Sequence, residues 1–116
     1  MADFDRQRWV EAQQRFSRVI KDYPNAEEAD DAAFFYAICS FKQGVYPRGI
    51  VEFERLIKKY PKSPLIPEAY YHSALSYRLM NNLEEARKRY RFVVKTFSTS
   101  VWARHAQDRL KELAGQ

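Results

Sequence analysis

The apolar residues of this chain advance by three and four. Trp9, Ala12, Phe16, Val19, Ile20 and Tyr23 form one such series, the spacing that lines one face of an α-helix. Pro24 stops that helix, because proline disfavours helical backbone in the residue before it. Asn25 offers an N-cap to a second helix, and Glu28 completes a capping box. Gly44 ends the second helix, since glycine takes the left-handed conformation at no steric cost. Pro47 suits the first turn of a third helix, where its missing donor is not needed. Ser63-Pro64 opens a fourth, with Pro67 in its first turn or so, Asn82 with Glu85 caps a fifth, and a sixth starts near Ser100. The pattern predicts helices over 7–22, 26–43, 47–59, 64–81, 83–96 and 100–114. No segment alternates with the period of two that a strand requires.

The helices repeat as pairs. Phe16, Phe53 and Tyr90 are spaced by 37 and 37, as are Ala12, Gly49 and Ala86, and Ile20, Ile57 and Val94. Trp9, Tyr46 and Leu83 form a fourth row, and Ala32, Ala69 and Ala106 a fifth. Tyr23-Pro24 recurs as Tyr60-Pro61 and, degenerate, as Phe97-Ser98. Six rows in one register without a gap define three copies of a single unit, about 8–44, 45–81 and 82–116. The chain is therefore read as one all-α domain, an α-solenoid of six antiparallel helices. The middle outer helix carries Ile50 and Val51 where the flanking ones carry Gln13-Gln14 and Arg87-Lys88. Helix six is also one-sided, with Trp102, Ala106, Leu110 and Leu113 inward. Repeat arrays need polar end faces to stay soluble, so both ends are expected to be capped.

The unit is an aromatic, a small residue three on, an aromatic four later, then Tyr-Pro and an alanine-rich helix. It resembles the tetratricopeptide repeat. In that resemblance the small residue at the helix crossing falls on Ala12, Gly49 and Ala86, and the outer-helix aromatic on Phe16, Phe53 and Tyr90. The proline falls on Pro24 and Pro61, and the inner-helix small residue on Ala37 and Ala74. The third copy departs, with Ser98 where the proline belongs. The 37-residue period is longer than the usual 34, which implies inner helices about one turn longer. This longer form is similar to the bacterial cell-envelope branch, which includes the Tol-Pal accessory protein and the outer-membrane assembly lipoprotein. The resemblance implies a periplasmic or cell-envelope setting. The start of the chain carries no secretory signal, which implies a cytoplasmic one if the chain is complete.

Composition narrows the picture. With 46% hydrophobic and 16% aromatic residues, the chain is too apolar for intrinsic disorder. One cysteine excludes an internal disulfide framework. No apolar run approaches the ~18 residues that a membrane span needs. Lys and Arg total 20 against 15 Asp and Glu, a net charge of +5. The densest basic stretch is Arg87-Lys88-Arg89-Tyr90-Arg91, and Glu84 and Glu85 sit four residues before Lys88 and Arg89. That order suits helix-surface ion pairs, so the stretch reads as a solvated face. No nucleic-acid motif accompanies it, and no nucleic-acid partner is expected.

Catalytic chemistry finds no support. His72 and His105 lie 33 residues apart, and neither occurs at metal-ligand spacing. Cys39 falls mid-helix among alanines, the place of a packing residue, and the three glycines form no phosphate loop. No cofactor or metal is expected.

Tetratricopeptide folds line a concave groove with the second helix of each unit. By resemblance the groove positions are Asp31, Phe34, Ile38 and Phe41 on the second helix, and Glu68, Tyr71, Leu75 and Arg78 on the fourth. On the sixth they are His105 and Asp108, followed by Glu112. Apolar Phe34, Ile38, Tyr71 and Leu75 stand where some relatives place a carboxylate clamp, so a groove with apolar anchors and a charged rim is expected. The expected function is a non-catalytic scaffold that binds a peptide or protein segment there. The alternative is a self-association module that buries the same surface.

Overall fold

Proline, glycine and asparagine break the described residues into six helices. The computed structural model describes the backbone of residues 3–115 and the side chains of residues 6–115. The elements are α1 (Asp3–Asp22), α2 (Ala29–Lys42), α3 (Tyr46–Lys59), α4 (Ile66–Leu79), α5 (Leu83–Thr96) and α6 (Val101–Ala114). The described residues contain no strand. Each helix packs on its sequence neighbours, and α4 also touches α6. The result is a slab of 43 × 35 × 19 Å, two helix layers thick given helix spacings of about 8–10 Å. The outer layer is α1, α3 and α5, and the inner layer is α2, α4 and α6. This is the all-α, tetratricopeptide-like stack that the 37-residue register predicts.

The turns between repeats are built alike. Gly44 has φ +78° and Asn81, at the matching position one repeat later, has φ +63°. Glycine and asparagine are the residues that tolerate this left-handed backbone. Each turn is closed by a bond reaching back five residues, Val45 N–H to the Ser40 carbonyl at 3.0 Å and Asn82 N–H to the Tyr77 carbonyl at 2.8 Å. Pro47 lies in the first turn of α3. Asn82 Oδ1 accepts from Glu85 N–H at 3.4 Å, and Ser100 Oγ accepts from Ala103 N–H at 3.2 Å.

Four local expectations are corrected. Helix α2 begins at Ala29, and the Asn25–Glu28 capping box does not form; Glu28 is the N-cap residue and makes no side-chain cap bond. Residues 23–28 close tight turns through Ala26 N–H to the Tyr23 carbonyl and Ala29 N–H to the Ala26 carbonyl. Helix α4 similarly begins at Ile66, after a turn in which Ser63 Oγ accepts from Leu65 N–H at 3.2 Å. The inner helices lack the expected extra turn: α2 and α4 have 14 residues each where the pattern predicts 26–43 and 64–81. The added period lies in the links 23–28 and 60–65. Lys88 pairs with Glu85 at 3.6 Å rather than with Glu84. Arg89 pairs with Glu85 at 3.8 Å as expected, and also reaches Glu54 of α3 at 3.1 Å.

The core follows the rows. Phe53, Tyr90, Leu56, Val93 and Leu113 are fully buried, and Ala37, Ala69, Ala74, Ala86 and Ala106 sit at 0% exposure where helices cross. Gly49 approaches α2 so closely that an added Cβ would lie 3.6 Å from the Ala37 carbonyl and 3.7 Å from Ser40 Cβ. Helix α1 is held by a polar network. Gln13 Nε2 donates to Ser40 Oγ at 2.8 Å and to the Tyr36 carbonyl at 3.1 Å, and Gln43 Nε2 donates to Gln13 Oε1 at 2.8 Å. Ser40 Oγ in turn donates to Glu52 Oε1 at 2.5 Å. Burial holds the Glu52 carboxyl above its usual range, opposed by the Ser40 bond and the Arg48 and Arg55 charges. The two ends of the stack differ. At the C-terminal end Gln107, Asp108 and Lys111 are exposed, a polar cap, whereas the N-terminal repeat exposes Tyr23 and Phe35. The expectation of two polar end faces holds at one end.

Candidate functional site

The inner helices place aromatic rings side by side. His72 of α4 stands at the centre. Its ring centroid lies 5.5 Å from Phe41 and 6.1 Å from Phe34 of α2, 5.9 Å from Phe53 of α3, and 5.9 Å from Trp102 of α6. The strip continues at both ends, from Phe41 to Tyr46 at 5.6 Å and from Trp102 to His105 at 5.4 Å. Phe41, His72 and Trp102 are half-buried and His105 is exposed. The rings therefore run obliquely over α2, α4 and α6 and keep part of their area toward solvent.

The His72 ring has a fixed hydrogen bond. Its Nδ1 lies 3.1 Å from the Glu68 carbonyl. A carbonyl only accepts, so Nδ1 carries the proton, and in the neutral ring Nε2 is left as an acceptor. Burial pushes the imidazole pKa down, with Lys42 adding to the effect and the Glu68 carbonyl opposing it. His72 is thus a neutral aromatic with one polar edge, suited to packing and to hydrogen bonding.

The expected groove residues divide into three groups. Phe34 (3% exposed) and Tyr71 (7% exposed) belong to the core and not to the accessible surface. Tyr71 packs on Tyr90 at 5.6 Å and Trp102 at 5.2 Å, and Phe34 packs on Phe53 at 5.8 Å. Ile38 and Leu75 are half-buried against the two core clusters, and Phe41 is half-buried in the ring strip. Asp31, His105 and Asp108 are exposed, and Glu68 is half-buried with its carboxyl pushed up by burial. Arg78 bridges to Glu112 Oε2 at 2.8 Å, which ties α4 to α6 at the rim. Sequence reasoning did not place His72 or Trp102 on this surface. Their signal was present, because both fall on the inner helices of a repeat array.

Burial and the nearby Glu52 push the Cys39 thiol up to about 11, so it stays protonated and unreactive at neutral pH. The described residues hold no cluster of three His, Cys, Asp or Glu side chains placed to bind a metal. No described helix is long and apolar enough to cross a membrane.

The sequence matches known proteins. The family YfiO, outer membrane lipoprotein, matches residues 1–115. Two curated relatives are the outer membrane protein assembly factor BamD of Xylella fastidiosa strains 9a5c and Temecula1. Each is 31% identical over 68 residues, a stretch that covers 59% of this chain and 23% of the relative. The chain thus spans about a quarter of the length of those relatives. With the family match running over nearly every residue, this chain belongs to the YfiO outer membrane lipoprotein family.

Proposed function

We propose that this domain is a non-catalytic interaction module of outer-membrane protein assembly, and that its inner face holds a segment of a partner protein. The relatives named above are assembly factors for outer membrane proteins, which supplies the setting. The observation that carries the reading is the half-exposed strip Phe41–His72–Trp102–His105. Aromatic rings partly open to solvent are frequent anchors of a protein interface. Ile38 and Leu75 extend the apolar area, and Asp31, Glu68 and Arg78 supply a charged rim that orients the bound segment, while Asp108, at the repeat position of Phe34 and Tyr71, belongs to the polar C-terminal end. Phe34 and Tyr71 act from beneath, as the floor on which the strip rests. A fitting partner is an extended segment or an amphipathic helix with apolar anchors of its own.

Trp102 supplies the test. The chain has two tryptophans, so Trp9→Phe leaves Trp102 as the single fluorophore, on the strip itself. The probes are synthetic peptides copied from strands of outer membrane proteins, with scrambled polar peptides of equal charge as controls. The expected result is a shift of Trp102 emission with the apolar peptides alone, weakened at least tenfold by Phe41→Glu. The affinity should change little with salt, because screening acts mainly on the rim charges. An emission that no peptide changes, or binding indifferent to Phe41→Glu, overturns the reading. Light scattering of the same variant separates it from self-association through this surface, which Phe41→Glu would abolish without any peptide present.

A further inference from the structure

The 37-residue register also orders the outer surface. Positions three and four apart on α1, α3 and α5 form three rows: Gln14, Val51 and Lys88; Arg18, Arg55 and Phe92; Lys21, Lys58 and Lys95. All nine residues are exposed. Within each helix the members are i, i+4 and i+7, one stripe about 10 Å long. Three such stripes make a grid on the outer layer. It holds six cations, two apolar side chains and no acid. Phe92 is 43% and Val51 52% exposed. Of the bordering acids, Glu54 and Glu85 are engaged by Arg89 at 3.1 and 3.8 Å, and Glu11 and Asp22 lie at the α1 margin.

The asymmetry of charge extends over the whole stack. Helices α1, α3 and α5 carry 14 Lys and Arg against 8 Asp and Glu, whereas α2, α4 and α6 carry 5 against 5. The positive charge of the chain is thus a property of its outer layer. Cations that merely solvate a helix face are commonly answered by acids three or four residues away. Lys88 is so answered, by Glu85 at 3.6 Å. Arg18, Lys21, Lys58 and Lys95 are in no ion pair among the described residues.

We infer that this grid is a docking surface for an anionic lipid bilayer. The occupant follows from the side-chain types. Four of the six cations are lysines, which protein interfaces avoid. Mobile anionic headgroups gather around such cations without needing fixed partners. An exposed ring among lysines suits the boundary between headgroups and acyl chains, whereas a nucleic-acid duplex offers Phe92 no apolar layer to enter. The grid lies on the layer opposite the inner face, so a bilayer here and a partner segment there do not compete.

Co-sedimentation of the whole chain with vesicles decides this. The probes are phosphatidylcholine vesicles with and without phosphatidylglycerol. The expected result is capture by the phosphatidylglycerol vesicles alone, lost as salt rises, because the charges are exposed. Lys58→Glu combined with Lys95→Glu should weaken capture at least tenfold, since each cation near an anionic surface contributes about fivefold. Arg104→Glu combined with Lys111→Glu, both exposed on α6, makes the same change in net charge and should leave capture unchanged. Phe92→Ala should weaken it about fivefold by withdrawing half a ring from the interface. Val51→Gln, which copies Gln14, should act in the same direction and serves if Phe92→Ala fails to fold. Phe41→Glu, on the inner face, should leave capture intact. Failure of phosphatidylglycerol vesicles to capture the chain overturns the inference. So does an equal loss from the α6 pair, which reduces the effect to net charge, or tighter binding to duplex DNA than to the vesicles at the same salt.

Discussion

Replacing Tyr71 by alanine separates floor from surface. The ring is 7% exposed and touches four others: Trp102 at 5.2 Å, His72 and Tyr90 at 5.6 Å, and His105 at 6.1 Å. Those partners come from α4, α5 and α6, so truncation opens a cavity where three helices meet. Buried aromatic-to-alanine changes cost about 3–5 kcal/mol through lost transfer and cavity terms. A domain of this size has about 5–15 kcal/mol in total. Tyr71→Ala should therefore still fold at room temperature but melt roughly 10–20 °C lower. Urea titration followed by far-ultraviolet circular dichroism should show a lower midpoint at an unchanged slope. The contrast is Phe41→Ala, half-buried in the ring strip. It gives up about half the burial of one ring, or about 1 kcal/mol. A Tyr71→Ala midpoint as close to wild type as that of Phe41→Ala would refute the assignment of Tyr71 to the core.

Three further outcomes can be checked in the same way. Gly49→Ala should stabilise the domain by about 0.5–1 kcal/mol, since glycine is costly inside a helix and the added methyl meets α2 at ordinary contact distance, 3.6 Å; Gly49→Leu should cost about 1–3 kcal/mol by overpacking in the same urea series. Ser73→Ala should raise the stability read from the same urea series by about 1 kcal/mol, because the buried Ser73 hydroxyl has no hydrogen-bond partner among the described residues. His72 should make stability fall in acid: its folded pKa lies below the ordinary 6.5, so the neutral ring's contribution is complete above that value and is lost as pH drops through and below it. His72→Phe should flatten that slope below the ordinary imidazole value of 6.5.

The repeat was legible because its rows are spaced by a constant 37 residues, and no local feature had to be read correctly for the pattern to stand. The period fixes the sum of helix and link, however, and not their division. The extra length therefore went to inner helices in the sequence reading and lies in the links 23–28 and 60–65 in the structure. Asn25 and Glu28 fit a capping pattern, yet turn bonds from Ala26 and Ala29 satisfy that backbone first. The binding face shows the same limit more sharply. Residues 71 and 72 are neighbours about 100° apart around the helix axis. The register locates both on an inner helix, and only packing shows that Tyr71 points into the core while His72 joins the open strip. The polar network of Gln13, Ser40 and Glu52 joins residues up to 39 positions apart and has no local signal in the sequence.

The claim that the inner face is the working surface is tested most directly by photo-crosslinking in cells. A photoreactive phenylalanine analogue would replace, one at a time, Phe41 and His105 on the inner helices and Val51 and Arg91 on the outer ones. Val51, Arg91 and His105 are exposed and Phe41 is half-buried, so every site tolerates the change. The account predicts adducts with a second protein from Phe41 and His105, and none from Val51 or Arg91. Adducts confined to Val51 and Arg91 would contradict it and move the binding surface to the outer helices.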